Sequence, residues 1–232
     1  MTIIWTLWVI FFIIIDTLWC GPAAAIAGIF SRTKKLPYRM AQLWARLLIR
    51  AAGVKVETTG LENLDPAKPY IFVPNHMSHF DAPCIVVNLP HQIRFIGKKS
   101  LAYIPIFGWG ILAIGTIIID RSNHKKAVAS MDRAAEVVRA GTSVLIFAEG
   151  YRSRDGKLGA FKKGAFIMAI KSGVEIVPIR VSGSIKVHRR GSFAVHPGTV
   201  KVRFGKPIDP RPYTMETKEA LMEAVRRSIK EE

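Results

Sequence analysis

Read as a pattern of apolar and polar positions, the chain changes character near residue 53. Positions 3–15 are apolar except for Thr6; Asp16 and Thr17 follow, then Leu18-Trp19-Cys20, a Gly21-Pro22 break, and a run of small and apolar residues to Phe30. Residues 37–53 predict a second helix, because Met40, Leu43, Trp44, Leu47 and Leu48 recur at three- and four-residue spacing, with Arg39, Arg46 and Arg50 off that stripe or at its edge. From residue 54 onward short apolar runs alternate with helical patterns. Strands are expected over 54–59, 70–73, 93–96, 116–119, 143–148, 175–181 and 199–204, with a turn-rich connection over 61–68. Helices are expected over 82–89, from about 98 to Pro105, over 122–140 and 164–171, and over 215–230 with Thr214 as cap. In the 122–140 helix the buried face is read as Ala127, Val128, Met131, Ala134, Ala135 and Val138, with Gly141 closing it. Such alternation indicates an α/β layer architecture, and polar residues gather at strand ends, as expected for a site along one edge of a sheet.

Charge changes the picture of the first 53 residues. There are 34 basic residues against 17 acidic ones, a net +17, which fits nucleic acid or an anionic lipid surface. The apolar start favours lipid: a helix over 3–30 would measure about 42 Å, beyond the roughly 30 Å hydrocarbon core. Asp16 near its middle is costly in lipid, and Gly21-Pro22 invites a kink. Arg32, Lys34, Lys35 and Arg39 follow directly, so that end should be cytoplasmic. The reading is a helical hairpin embedded in one leaflet of the inner membrane over residues 1–53; a single full span with a surface helix is the alternative. Nucleic acid is not expected, because the aromatic residues are not interleaved with the basic ones. Cys20 and Cys84 lie in apolar surroundings and do not form a disulfide framework.

The most informative stretch is Asn75-His76-Met77-Ser78-His79-Phe80-Asp81, directly after the apolar run 70–74. Pro74 and Asn75 break the strand, and Ser78 is read as a helix N-cap with Asp81 in the first turn. His79 and Asp81, two apart on a helix, would point about 200° apart. His76 precedes the cap and can fold back onto Asp81. A carboxylate that fixes one imidazole tautomer makes a general base, so His76 is chosen and His79 left as a surface residue. No G-x-S-x-G elbow is present, which leaves direct attack by an acceptor hydroxyl, with Cys84 a buried helix residue. Gly108-Trp109-Gly110-Ile111-Leu112-Ala113 mimics a dinucleotide fingerprint, but Pro105 and the want of a clear preceding strand argue against it. Neither H-E-x-x-H nor paired C-x-x-C occurs, so no metal is expected.

Four blocks in order resemble the glycerolipid acyltransferase family, in particular the 1-acylglycerol-3-phosphate acyltransferases. NHMSHFD at 75–81 matches NHxSxxD, and GTIIIDR at 115–121 is similar to G-x-I-F-I-D-R. FAEGYRS at 147–153 is similar to FPEGTRS, and Ile176-Val177-Pro178-Ile179 to an apolar strand with a central proline. Between the first two, residues 97–108 resemble the family's Lys-Lys-x-Leu…Pro…Phe-Gly segment. The resemblance covers about residues 54–210. It implies an α/β domain over 54–232 with a mixed sheet flanked by helices, lying on the cytoplasmic face. It implies acyl transfer from a coenzyme A or acyl carrier protein thioester to the sn-2 hydroxyl of lysophosphatidic acid, giving phosphatidic acid, with no cofactor beyond that co-substrate. His76 and Asp81 take the catalytic positions. Lys98, Arg121, Glu149, Gly150, Arg152 and Ser153 take those around the acceptor's phosphate and glycerol. Lys99 competes with Lys98, Arg121 has Asp120 as a rival partner, and Glu149 either bonds the glycerol hydroxyl or holds an arginine. Lys157, Lys162 and Lys163 fit the donor's phosphates, the membrane, or a solvated surface. Ala148 and Tyr151 stand where the family pattern has Pro and Thr, which keeps another lyso-lipid or glycerol 3-phosphate in play as acceptor.

Overall fold

The computed structural model describes residues 2–120 and 124–231. Two helices come first, α1 (Thr2–Phe30) and α2 (Lys35–Ala51), followed by β1 (Val54–Thr59), β2 (Ile71–Pro74), α3 (Asp81–Val86) and β3 (Ile93–Lys98). Then come α4 (Lys99–Ala102), α5 (Phe107–Ala113), β4 (Ile117–Ile119), α6 (His124–Arg139) and β5 (Ser143–Leu145). The chain closes with α7 (Gly164–Ser172), β6 (Ile176–Ser182), α8 (Ser184–Val187), β7 (Gly198–Phe204) and α9 (Lys218–Lys230). The seven strands form one sheet in the order β1-β7-β6-β2-β5-β3-β4, antiparallel between β6 and β7 and parallel elsewhere. This is the expected mixed sheet flanked by helices.

β2 lies mid-sheet, between β6 and β5, which explains why its sequence is apolar without alternation. Ile71, Phe72 and Val73 are all 0 % exposed. Successive side chains still point to opposite faces. Tyr70 and Phe72 join the cluster formed with Val9 of α1, Tyr38, Leu48 and Ile49 of α2 and Cys84 and Ile85 of α3. Ile71 and Val73 join Ala134, Ala135 and Val138 of α6, Phe166 of α7 and Leu221 and Val225 of α9. Pro178 is tolerated inside β6 because it lies one residue before the β7 ladder begins at Ile179, and its carbonyl accepts the Gly205 N–H at 2.8 Å.

Several sequence expectations change. The segment that mimics a dinucleotide fingerprint is α5, a helix the apolar pattern did not reveal. Val128 faces solvent, whereas Ala134, Ala135 and Val138 are buried as expected. The expected helix start at Ser122 and the side chain of Ala127 lie outside the described residues. α9 begins at Lys218, with Thr217 in the N-cap position, because the Thr214 hydroxyl donates to Glu216 and the Thr214 N–H donates to Thr217 Oγ1. Gly21-Pro22 does not end α1, which continues through Pro22.

α1 and α2 are joined by four residues and pack together, with the Trp44 indole N–H donating to the Thr17 hydroxyl at 3.1 Å. Asp16 faces inward: it is 7 % exposed and accepts the Cys20 thiol at 3.2 Å. The opposite face of α1 is open and apolar, with Trp19 78 % and Phe30 81 % exposed. The start of α1 docks on the α/β layers through Thr6, whose buried hydroxyl accepts the Val195 N–H at 3.0 Å. Thr6→Val keeps the shape but orphans that N–H, so chemical unfolding in detergent should show a loss of about 1–3 kcal/mol; an unchanged midpoint would mean the docking contributes nothing.

Candidate active site

Three strands deliver the site. β2, β5 and β6 run parallel or continue into loops at the same edge of the sheet, with residues 75–80 following β2 and 146–163 following β5. The β2 ladder is prolonged by a side chain: the Asn75 amide donates to the Val181 carbonyl at 2.9 Å and its oxygen accepts the Val181 N–H at 2.7 Å. A single asparagine thus takes the place of a further strand residue and fixes where His76 leaves the sheet. Sequence reading took Asn75 only for a strand breaker.

Asp81 opens α3 and is 0 % exposed. Its Oδ2 accepts the Met77 N–H at 2.6 Å and the Ser78 N–H at 2.8 Å, and lies 2.8 Å from His76 Nδ1. An Oδ2 that already accepts two amides is best met by a further N–H, so Nδ1 is the donor of this contact and Nε2 is the ring nitrogen turned away from it. The His76 ring stacks on Phe147, with centroids 3.9 Å apart, and its side chain is 19 % exposed. The imidazole is therefore held by its rear nitrogen and one face, and its Nε2 lies on the side away from Asp81.

Ser78 is not the helix cap. Phe80 occupies that position without a side-chain bond, while the Ser78 hydroxyl accepts from the Phe80 N–H and donates to the His188 carbonyl at 2.9 Å. The carboxylate at the start of the helix out-competes the hydroxyl for the loop amides. His79 is exposed and stands 5.7 Å from the His188 ring. Packing around its ring, then the charges of Arg152, His188 and His76, push its pKa down to about 4.

Glu149 is 1 % exposed, and backbone amides take both its oxygens: His76 N–H reaches Oε1 at 2.7 Å and Gly159 N–H reaches Oε2 at 2.6 Å. In this structure it holds the His76 turn to the 146–163 loop, a role distinct from the glycerol and arginine contacts weighed from sequence. A Cβ on Gly159 would come within 2.8 Å of Oε2, so a side chain there would have to displace the carboxylate from the amide. Burial raises the Glu149 pKa above its ordinary value against the two amides, which lower it. Gly150 has φ 77°, a left-handed conformation that a side chain would strain. Ser153 is buried; its N–H donates to the His76 carbonyl at 2.8 Å, and its hydroxyl donates to Asp155 and accepts from Gly156 N–H. Ser153 therefore shapes the loop rather than presenting a free hydroxyl.

Arg152 is half-buried, and one of its terminal nitrogens, Nη1, is enclosed without a hydrogen-bond partner. Lys98 ends β3 and is exposed at the same sheet edge, whereas Lys99 bonds Asp120 at 3.4 Å. Arg121 lies outside the described residues. Cys84 is fully buried on α3, and burial followed by the Asp81 charge pushes its thiol up to about 12, which suits no nucleophile.

A family model described as Acyltransferase matches residues 55–182. The chain belongs to the acyltransferase family. It is 38 % identical over 177 residues to a chloroplastic 1-acyl-sn-glycerol-3-phosphate acyltransferase of Arabidopsis thaliana, covering 75 % of this chain and 49 % of that one. A 1-acyl-sn-glycerol-3-phosphate acyltransferase of Pseudomonas aeruginosa is 31 % identical over 180 residues, covering 73 % of this chain and 69 % of its own length. The crystal structure of the 1-acyl-sn-glycerophosphate (LPA) acyltransferase PlsC from Thermotoga maritima superposes with a TM-score of 0.83 at 25 % identity, covering 99 % of this chain and 95 % of that one. The chain spans about half the length of the plant chloroplast relatives. Phe147 and Asn75 lie inside the matched blocks of this family member, so their roles were within reach of the sequence; Gly159 lies between blocks and carried no signal.

Glu149→Gln tests the brace. The amide turns one acceptor into a donor facing a backbone N–H, so stability should fall by about 1–3 kcal/mol and kcat should fall with it. The raised pKa favours the folded state below the ordinary glutamate value of 4.5 and loses that contribution as pH rises through the folded pKa. The stability gap to wild type should accordingly narrow with rising pH, as urea titrations at several pH values will show.

Proposed function

We propose that this protein moves a fatty acyl group from a carrier thioester to the sn-2 hydroxyl of lysophosphatidic acid, yielding phosphatidic acid at the cytoplasmic face of the inner membrane. The observation that carries the reading is the 2.8 Å contact between His76 Nδ1 and Asp81 Oδ2, which leaves Nε2 available as a base. His76 takes the acceptor's hydroxyl proton as oxygen attacks the thioester carbonyl; the thiolate leaves and is protonated by the imidazolium. Asp81 steadies the cation that forms between these steps. The buried, unpaired nitrogen of Arg152 supports its assignment to the acceptor's phosphate. Lys98 and Arg121 are assigned to the same group, and Glu149, Gly150 and Ser153 set the loop on which Arg152 stands.

Residues 1–53 act as the anchor in this reading, as a hairpin in one leaflet beside the 54–232 domain. Among the described residues α1 is long and apolar enough to cross a membrane, and its outward face is matched by exposed Tyr103 and Trp109 next to it around α5. α5 is held against α1 at glycines, since a Cβ on Gly21 would meet Ile106 Cγ2 at 2.6 Å. A lipid acceptor then arrives from the bilayer and the soluble thioester, on coenzyme A or acyl carrier protein, from the cytosol. A second reading, acylation of another lyso-lipid or of glycerol 3-phosphate, rests on Tyr151, half exposed where the family pattern has Thr.

Purified protein with labelled acyl thioester and a panel of lyso-acceptors should give its highest kcat/KM with lysophosphatidic acid; a preference for a phosphate-free acceptor would overturn the reading. His76→Ala should lower kcat by at least about 10²–10⁴-fold with the fold retained. Replacing Trp19 and Phe30 together by Gln spares the docked face of α1 and should shift protein from the membrane to the soluble fraction. Unaltered flotation with vesicles would remove α1 as the anchor.

A further inference from the structure

Arg190 lies on the segment after α8, beyond the residues that match the family model. Its Nη1 donates to the Arg152 carbonyl at 2.7 Å, and its guanidinium carbon is 6.0 Å from the centroid of the Tyr151 ring. Tyr151, Arg152, Lys157 and Arg190 line one open cleft of about 480 Å³ beside Glu149. Two guanidinium groups are thus brought together on a wall that already carries a lysine.

The carboxylates along this cleft are committed elsewhere. Glu149 accepts two backbone amides, and Asp155 accepts the Ser153 hydroxyl and the Lys157 N–H. Among the described residues neither Arg152 nor Arg190 has a carboxylate within ion-pair distance. Partial burial and then the charge of Arg190 hold the Arg152 guanidinium below its usual pKa, as expected for adjacent cations without a counter-ion. Arg152 Nη1 is enclosed and unpartnered. The tyrosine ring supplies a flat platform that limits where Arg190 can swing.

We propose that Arg190, braced by Tyr151 and the Arg152 carbonyl, is a second arm of this cleft and binds a phosphate ester together with Arg152. The proposal rests on the acyl-transfer reading for its source: the phosphate belongs either to the lysolipid headgroup or to the thioester carrier. A dianion with three open oxygens can meet two planar forks at once, which a neutral hydroxyl-bearing group cannot. Tyr151, where the family pattern has Thr, then supplies the ring that holds this cation over the pocket.

The test uses the full chain in detergent micelles, with wild type, Arg190→Ala, Arg190→Lys and Tyr151→Leu. Initial rates are measured while lysophosphatidic acid and acyl thioester are varied separately, and binding of inorganic phosphate is followed by ³¹P line broadening. Arg190→Ala should raise one KM on the order of 10- to 100-fold, with kcat little changed and phosphate broadening lost. Arg190→Lys should recover part of this, and Tyr151→Leu should give a smaller rise in the same KM. A rise for the lysolipid assigns its headgroup to the cleft; a rise for the thioester assigns the carrier's phosphate. Unchanged values of both KM and phosphate broadening in a folded Arg190→Ala protein would overturn the proposal, and if that variant fails to fold the same criterion applies to Arg190→Lys. Phosphate binding that depends on Arg190 in a protein that makes no phosphatidic acid would instead sink the acyl-transfer reading and leave the site standing.

Discussion

One oxygen atom carries an unusual share of this structure. Asp81 Oδ2, fully enclosed, gathers the His76 imidazole and the amides of Met77 and Ser78. Each donor belongs to the turn that leaves β2, and the acceptor belongs to the first residue of α3. A buried carboxylate is costly unless hydrogen-bonded; Oδ1 is enclosed without a donor, so the burial is offset at Oδ2, by the same bonds that shape the turn. The spacing of five residues follows from this geometry. Moving the carboxylate one place along the helix would rotate it by about 100°, away from all three donors.

The remaining parts of the site are tied to that turn from either side. On the β5 side, Glu149 holds the His76 amide and Ser153 holds the His76 carbonyl, so both polar groups of the histidine backbone are occupied by one loop. On the β6 side, Asn75 is clamped to Val181, and the Ser78 hydroxyl reaches the His188 carbonyl. The imidazole ring is backed by Phe147 of the β5 loop. Three segments distant in sequence converge on one residue, and little besides Nε2 is left uncommitted. On the proposed reading this makes His76 a preorganised base, since its orientation does not have to be established when a substrate arrives.

Much of this was legible in the chain. Strands that run into polar residues are visible as apolar runs ending at Asn75, Asp120 and Glu149, and the choice of His76 over His79 followed from helical angles alone. What was hidden has physical causes. α5 has an apolar surface all round, with glycines where α1 presses on it, so it shows no amphipathic stripe. Ser78 and Thr214 satisfy the sequence preference for a cap, but stronger or closer acceptors decided the helix starts. The working partners of Glu149 are backbone amides, which no side-chain pattern announces. Arg190 becomes meaningful only when the fold brings its distant segment over Tyr151.

The apolar hairpin and the chemistry meet in the segment that follows α8. Val195, near its end, is bonded through its N–H to Thr6 at the base of α1; Arg190, near its start, is bonded to the Arg152 carbonyl; the His188 carbonyl accepts from Ser78 of the His76 turn. A stretch of eight residues thus touches α1, the cationic cleft and the His76 turn. On the proposed reading the bilayer fixes α1, and α1 fixes this segment, so the height of the guanidinium pair relative to the headgroup layer is set by a rigid chain of hydrogen bonds and not by a flexible tether. A lysolipid whose tail stays in the leaflet then presents its phosphate at a constant level, and its neighbouring hydroxyl reaches His76 with little conformational search. That coupling accounts for a polar threonine inside an otherwise apolar run: Thr6 is buried against the α/β domain, where its hydroxyl bonds the Val195 N–H.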